Sequence, residues 1–164
     1  MIFRALRNVG TIKELLTLAA TESGRTNDDA PGPEHMVLAA LALGDGTAAA
    51  ALAAVGTDER NLRAAIDRTR REALTSVGVE PLDDASVVEP GPGTGPYRST
   101  APAQRTFQAA AKLSKASGSK SLLGAHVVAA AMDEAEPGTL GRALRALGVD
   151  PADLRAAALA AGSR

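Results

Sequence analysis

The chain has 164 residues, no cysteine and a formal net charge of -1. The lack of cysteine excludes a disulfide framework and a thiolate metal site, and the near-zero charge favours neither nucleic acid nor an anionic membrane as a partner. Because no apolar run approaches the ~20 residues of a membrane span and the first residues are too short for a signal peptide, we expect a cytoplasmic protein.

The amino-terminal region predicts one helix preceded by a short lead-in over residues 1–10. Thr11 and Glu14 have the spacing of a capping box, which indicates that the helix begins at Thr11. Gly24 is a suitable end for this helix, and residues 25–31 form a polar loop.

A second helix is predicted to begin at Pro33, which suits a first helical turn because its missing N–H is no loss there. The helix dipole favours the carboxylate of Glu34 at this end. The turn 44–46 and a short helix over 47–55 follow, and Gly56 is expected to cap that helix in the left-handed conformation.

Asp58 is expected to cap a fourth helix, whose apolar face carries Leu62, Ala65, Ile66 and Thr69. Four arginines of this helix are expected to face mostly water: Arg60, Arg63, Arg70 and Arg71.

Residues 77–99 break this pattern, because four prolines, four glycines and four acidic residues lie among them. Such a composition is typical of an extended or mobile linker. Four more helices are predicted after it: one capped by Thr100, one opened by His126, one ending at Gly148 and one capped by Asp150.

The second half repeats the first. His35 and His126 each open an apolar helix and lie 91 residues apart. The interval is 92 residues for four further pairs: Leu52 and Leu144, Gly56 and Gly148, Asp58 and Asp150, and Leu62 and Leu154. This predicts an internal duplication. We therefore expect one all-α domain over 1–164, built as a tandem pseudo-twofold repeat of two four-helix lobes (11–76 and 100–162) joined by the Gly/Pro-rich linker 77–99.

No catalytic constellation is present in the sequence. No glycine-rich stretch has the phosphate-binding pattern of an ATPase, and no serine or threonine lies in a nucleophile motif. Two histidines without carboxylate pairs rarely make a metal site, so packing or capping is the favoured role of His35 and His126. The basic cluster of Arg68, Arg70 and Arg71 indicates a solvated helix face. We expect neither an enzyme nor a cofactor.

A doubled unit in which a glutamate–histidine motif opens an apolar helix resembles the Clp amino-terminal domain of the AAA+ unfoldases, especially the ClpC type. The first copy reads Gly32-Pro33-Glu34-His35, followed by the turn 44–46 and the segment from Ala48 to Gly56. The second copy reads Gly124-Ala125-His126, followed by the segment from Leu140 to Gly148. The resemblance covers roughly residues 9–162. It implies a free-standing docking or adaptor module that lacks the ATPase modules.

The resemblance also implies ligand-binding residues. Some relatives bind phosphorylated arginine in each lobe through the motif glutamate and a threonine that begins the lobe. The first lobe keeps Glu34, but its threonine position is Val9. The second lobe keeps Thr100, but its glutamate position is Ala125. Each site, paired within its own lobe, therefore keeps one of its two residues.

Two aromatic residues complete the candidate site. The resemblance implies that Phe3 and Tyr97 line an aromatic patch near the lobe junction, with Phe107 nearby.

Two functions stay open. The first is a non-catalytic protein- or peptide-binding module of the Clp protease and chaperone system, acting as adaptor, substrate-docking protein or competitor of the unfoldase domain. Its partners would be Clp unfoldase or protease components, adaptors, substrate proteins or phosphoarginine. The alternative is a decoy that sequesters cyclic-peptide antibiotics, which some actinobacterial relatives bind. The Ala-, Arg- and Gly-rich composition suits such a high-GC organism.

Overall fold

The computed structural model describes residues 2–79 and 98–163, with side chains from residue 8 onward. Eight α-helices and no strand occur in these ranges, which confirms the all-α prediction. The helices are α1 (Ile2–Arg25), α2 (Pro33–Ala42), α3 (Thr47–Ala54), α4 (Glu59–Ser76), α5 (Ala101–Ala116), α6 (Gly124–Met132), α7 (Thr139–Ala146) and α8 (Pro151–Ala161).

The first helix is longer than predicted. It runs through residues 2–10, so Thr11 lies inside α1 and the expected lead-in and capping box are wrong. Gly10 does not interrupt the helix, and a Cβ placed on it would meet nothing within 4 Å. Asn8 connects this segment to the second half, because its Oδ1 accepts a hydrogen bond from Leu122 N at 3.1 Å. A tertiary contact of this kind favours helix where local capping signals point elsewhere.

The repeated positions have the same structural roles in both halves. Leu52 and Leu144 are completely buried, and so are Leu62 and Leu154. Gly56 and Gly148 adopt φ values of 77° and 69°, the left-handed region that favours glycine after a helix. Two aspartates cap the helices that follow: Asp58 accepts from Asn61 N at 2.8 Å, and Asp150 accepts from Ala152 N at 2.7 Å. The caps and turns of this repeat were predictable from sequence.

The two halves are interlocked rather than stacked. Within each half the first helix packs on the second, α1 on α2 and α5 on α6. The short third helices cross over, so that α3 packs on α8 and α7 packs on α4. Helices α2 and α6 meet at the centre, where all nine residues of α6 are buried. Contacts between helices of different halves therefore join residues that are far apart in the chain. The site described below includes one such contact, between Thr100 and Pro31.

Among the described residues no single helix is long and apolar enough to cross a membrane. Helices α2 and α3 together reach that length and composition, but they meet at a bend of 112°.

Candidate functional site

His35 organises the loop that leads into α2. Its Nδ1 accepts a hydrogen bond from Gly32 N at 2.9 Å, which satisfies one backbone donor at the helix start. Because Nδ1 is the acceptor, the neutral ring carries its proton on Nε2, which lies 2.9 Å from Thr26 Oγ1 and 3.1 Å from Asp28 Oδ2. The ring is 1 % exposed. His35 is thus a buried capping residue, as the sequence predicted.

His126 does the same in the second half. Its Nδ1 accepts from Leu123 N at 3.2 Å, and its Nε2 lies 3.2 Å from Ser117 Oγ. Burial lowers the pKa of His126 below its ordinary value, although the nearby Asp45 acts in the opposite direction. The ring therefore stays neutral at pH 7, consistent with a structural role.

Asp28 extends the network of His35 to α4. Arg70 binds its carboxylate in a bidentate manner, with nitrogen–oxygen distances of 2.5 and 2.9 Å. Burial alone would raise the pKa of Asp28, but hydrogen bonds from His35 and Arg70 hold it well below its usual range. The loop before Glu34 is therefore fixed to a helix more than 40 residues further along the chain.

Two arginines of α4 depart from the sequence prediction that they face water. Arg70 binds Asp28, and Arg63 binds the buried Glu22 of α1 at 2.7 and 3.1 Å. Glu22 is only 6 % exposed, so burying its charge requires a partner of this kind. The helical spacing of the arginines could not show this, because both acidic partners are distant in sequence.

The group of Asp28, Glu34 and His35 has the composition of a metal site, with one potential ligand atom from each within 4.8 Å of the others. The hydrogen bonds argue against that use. His35 Nδ1 already accepts from Gly32, its Nε2 carries the proton, and Asp28 is held by Arg70. A metal would have to displace Arg70 from Asp28 and one of the two hydrogen bonds of His35, so the cluster is a structural network.

Asp28 makes the stability of the protein depend on pH. Because its folded-state pKa lies below the unfolded value near ~3.9, the interaction stabilises the fold above about pH 4 and is lost as the pH falls below that. We expect Asp28→Asn to be less stable than wild type at neutral pH, with the gap narrowing in acid. Urea midpoints measured from neutral to acidic pH check this. Asp29→Asn, at an exposed neighbouring position, is the matched control, and a constant gap for Asp28→Asn would contradict the assignment.

Glu34 lies at the second position of α2, with its side chain 12 % exposed. The carboxylate folds back over the chain, and a Cβ added to Gly32 would lie 2.8 Å from Glu34 Oε2. Glycine at position 32 is therefore what leaves room for it. Its nearest possible cation is His35 Nδ1 at 3.7 Å, but that atom is an acceptor and carries no proton. Within residues 8–79 and 98–163, no lysine or arginine pairs with Glu34.

Thr100 comes from the second half but lies against the loop that carries Glu34. Its backbone N–H donates to Pro31 O at 3.0 Å, and its side chain caps α5 by accepting from Ala103 N at 3.3 Å. The amino terminus of a 16-residue helix, where anions are favoured, is thus placed beside the Glu34 loop. The loop that precedes Glu34 and the start of α5 at Thr100 are thus in direct contact across the two halves.

The corresponding location in the second half lacks both groups. Val9 and Ala125 replace the threonine and the glutamate, and Ala125 is completely buried. Two donors at the start of α6 are also occupied from the first half. Gly124 N donates to Asp45 Oδ2 at 2.8 Å, and Ala125 N donates to Thr47 Oγ1 at 2.9 Å. In the second half, the segment equivalent to the one that carries Glu34 therefore makes an internal contact with the first half.

Most of the predicted aromatic patch lies outside the residues that the structure describes. Tyr97 and the side chain of Phe3 lie outside the described residues, and Phe107 is half-buried against the core. The role given to Phe3 and Tyr97 stays a prediction.

These features define a small all-helical repeat domain with a capped glutamate–histidine motif. The chain belongs to the family of the Clp repeat N-terminal domain, whose model matches residues 10–139. Domains of this family are protein-interaction modules of Clp chaperones and contain no AAA+ ATPase.

The fold is similar to a solved structure, the N-terminal domain of the caseinolytic protease associated chaperone ClpD from Arabidopsis thaliana. The TM-score is 0.53 at 20 % sequence identity, over 96 % of this chain and 90 % of that chain. No curated protein matches the chain.

Sequence reasoning missed Asp28, Thr26 and Arg70, which hold the loop that carries Glu34. A repeat signal was available for Thr26 alone, since Thr26 and Ser117 stand at the same 91-residue interval as His35 and His126 and each lies beside the histidine of its half.

Proposed function

We propose that this domain is a protein-docking module of the Clp system that takes an arginine-type side chain at a single location formed by Glu34 and the start of α5. The observation that carries the proposal is the unpaired Glu34 carboxylate beside the Thr100 end of α5. A carboxylate matches a guanidinium in bidentate geometry, and a helix amino terminus favours a phosphate. Together they suit a phosphorylated arginine, with unmodified arginine as the weaker ligand.

The proposed biological role follows from the proposed site and from the family, whose domains are protein-interaction modules of Clp chaperones. Such a domain presents bound proteins to a Clp unfoldase or competes with the unfoldase's own domain for substrates and adaptors. The cyclic-peptide decoy depends on Phe3 and Tyr97 and has no support from the described residues.

The test is a calorimetric titration with two peptides that differ only in carrying arginine or phosphoarginine. We expect the phosphorylated peptide to bind more tightly. Glu34→Gln is expected to weaken binding at least about tenfold, since a charge-assisted hydrogen bond contributes about 1.5–3 kcal/mol. Glu59→Gln, an exposed acidic residue in the first turn of α4, is the control. Equal affinity of wild type and Glu34→Gln would remove Glu34 from the site, and no binding by wild type would refute the function.

A further inference from the structure

A groove of about 520 Å³ runs between α4 of the first half and α7 of the second. Its lining includes three arginines, Arg68, Arg142 and Arg145, and one acidic residue, Glu72. The sequence placed Arg68 in a cluster with Arg70 and Arg71. The structure separates them, because Arg70 turns inward to Asp28 while Arg68 joins two arginines from the other half.

These arginines are poorly neutralised. Arg145 pairs with Glu136 at the edge of α7. Within the part of the chain that the structure describes, neither Arg68 nor Arg142 forms an ion pair with a carboxylate. Like charges gathered along one groove create a positive local potential that attracts an anionic partner.

The repeat shows that helix packing does not require arginine here. The repeat contains an equivalent helix pair, in which α8 packs on α3. Residues of the two pairs correspond at an interval of 92. The positions that correspond to the three arginines are all alanine: Ala160, Ala50 and Ala53. All six side chains are exposed, so neither crossing uses them to pack its helices, and the basic character belongs to the α4–α7 crossing alone.

We propose that the α4–α7 groove binds an acidic segment of a partner protein, as a second docking surface separate from the Glu34 location. Arginine forks recognise carboxylates in bidentate geometry, and the groove is lined by three arginines against one acidic residue, Glu72. A peptide fits better than nucleic acid, because the net charge of the chain is -1 and, among the residues that the structure describes, no aromatic side chain for base stacking lines the groove. This surface does not depend on the proposed arginine site.

The test is fluorescence anisotropy at low ionic strength with a labelled peptide of eight glutamates. We expect wild type to bind it, with affinity that falls as salt is added. The double variant Arg68→Ala/Arg142→Ala should bind roughly tenfold more weakly, because two ion pairs are lost. The control is Arg60→Ala/Arg71→Ala, which removes the same charge from exposed positions of α4 outside the groove and should bind like wild type.

Three results would overturn the proposal. One is equal binding by the two double variants, which would show that only overall charge matters. Another is tighter binding of a single-stranded oligonucleotide of the same charge. The third is binding that appears only after the chain's own acids at Glu80, Asp83, Asp84 and Glu89 are neutralised, since the groove would then serve this chain's own acidic segment.

Discussion

Replacing His35 with alanine is expected to lower the free energy of unfolding by about 3 kcal/mol. The substitution removes a fully buried ring and leaves Gly32 N–H without its acceptor. It also takes one hydrogen-bond partner from Asp28 and one from Thr26. A cavity and unsatisfied buried polar groups each destabilise a fold, and here both arise at one position. Urea denaturation followed by circular dichroism measures the loss.

His126→Ala is the matched comparison, because the ring has the same burial and the same backbone contact. Among the described residues its Nε2 has Ser117 as its hydrogen-bond partner, without an aspartate held by an arginine. We expect a smaller loss, about 2 kcal/mol. An equal or larger loss for His126→Ala would show that the Asp28–Arg70 network adds nothing to the first half.

Gly124→Ala is expected to destabilise the protein by about 1–3 kcal/mol, although alanine is normally the better helix residue. A Cβ at position 124 would lie 2.7 Å from Ala40 O and 3.0 Å from Ala48 Cβ. The first is a backbone atom of α2 and cannot move aside as a flexible side chain would. The close approach of α2 and α6 at the centre of the fold therefore depends on glycine, and thermal unfolding measures the effect.

Gly10→Ala provides the opposite case. Gly10 lies inside α1, and an added Cβ meets nothing within 4 Å. We expect this variant to gain about 0.5–1 kcal/mol from its better helix propensity. If Gly124→Ala proved as stable as Gly10→Ala, the tight contact between α2 and α6 would be refuted.

Much of the fold could be predicted because its signals are local. The caps at Asp58, Thr100 and Asp150, the left-handed glycines and the histidines that open the central helices all act within a few residues. All of these signals except Thr100 recur at an interval of 91 or 92 residues, which supports the prediction of each. The sequence did not predict the start of α1, because Asn8 contacts Leu122, which lies 114 residues further along the chain. No local sequence pattern shows such a contact.

The site was predicted less completely for the same reason. The motif predicts Glu34, but the contact between the loop before Glu34 and the start of α5 depends on how the halves interlock. Arg63 and Arg70 were expected in solvent, because helical spacing shows which residues share a face but not which face a neighbour covers. Only the tertiary fold brings Glu22 and Asp28 to them.

The central claim is that Glu34 and Thr100, from different halves, form one binding location and that the second half has none. A double-mutant cycle on the phosphoarginine titration tests it most directly, using Glu34→Gln and Thr100→Asp. Aspartate keeps a capping oxygen at position 100 but repels a phosphate. We predict one peptide per chain in wild type and effects of the two substitutions that are not additive. Two peptides per chain, or purely additive effects, would contradict the account.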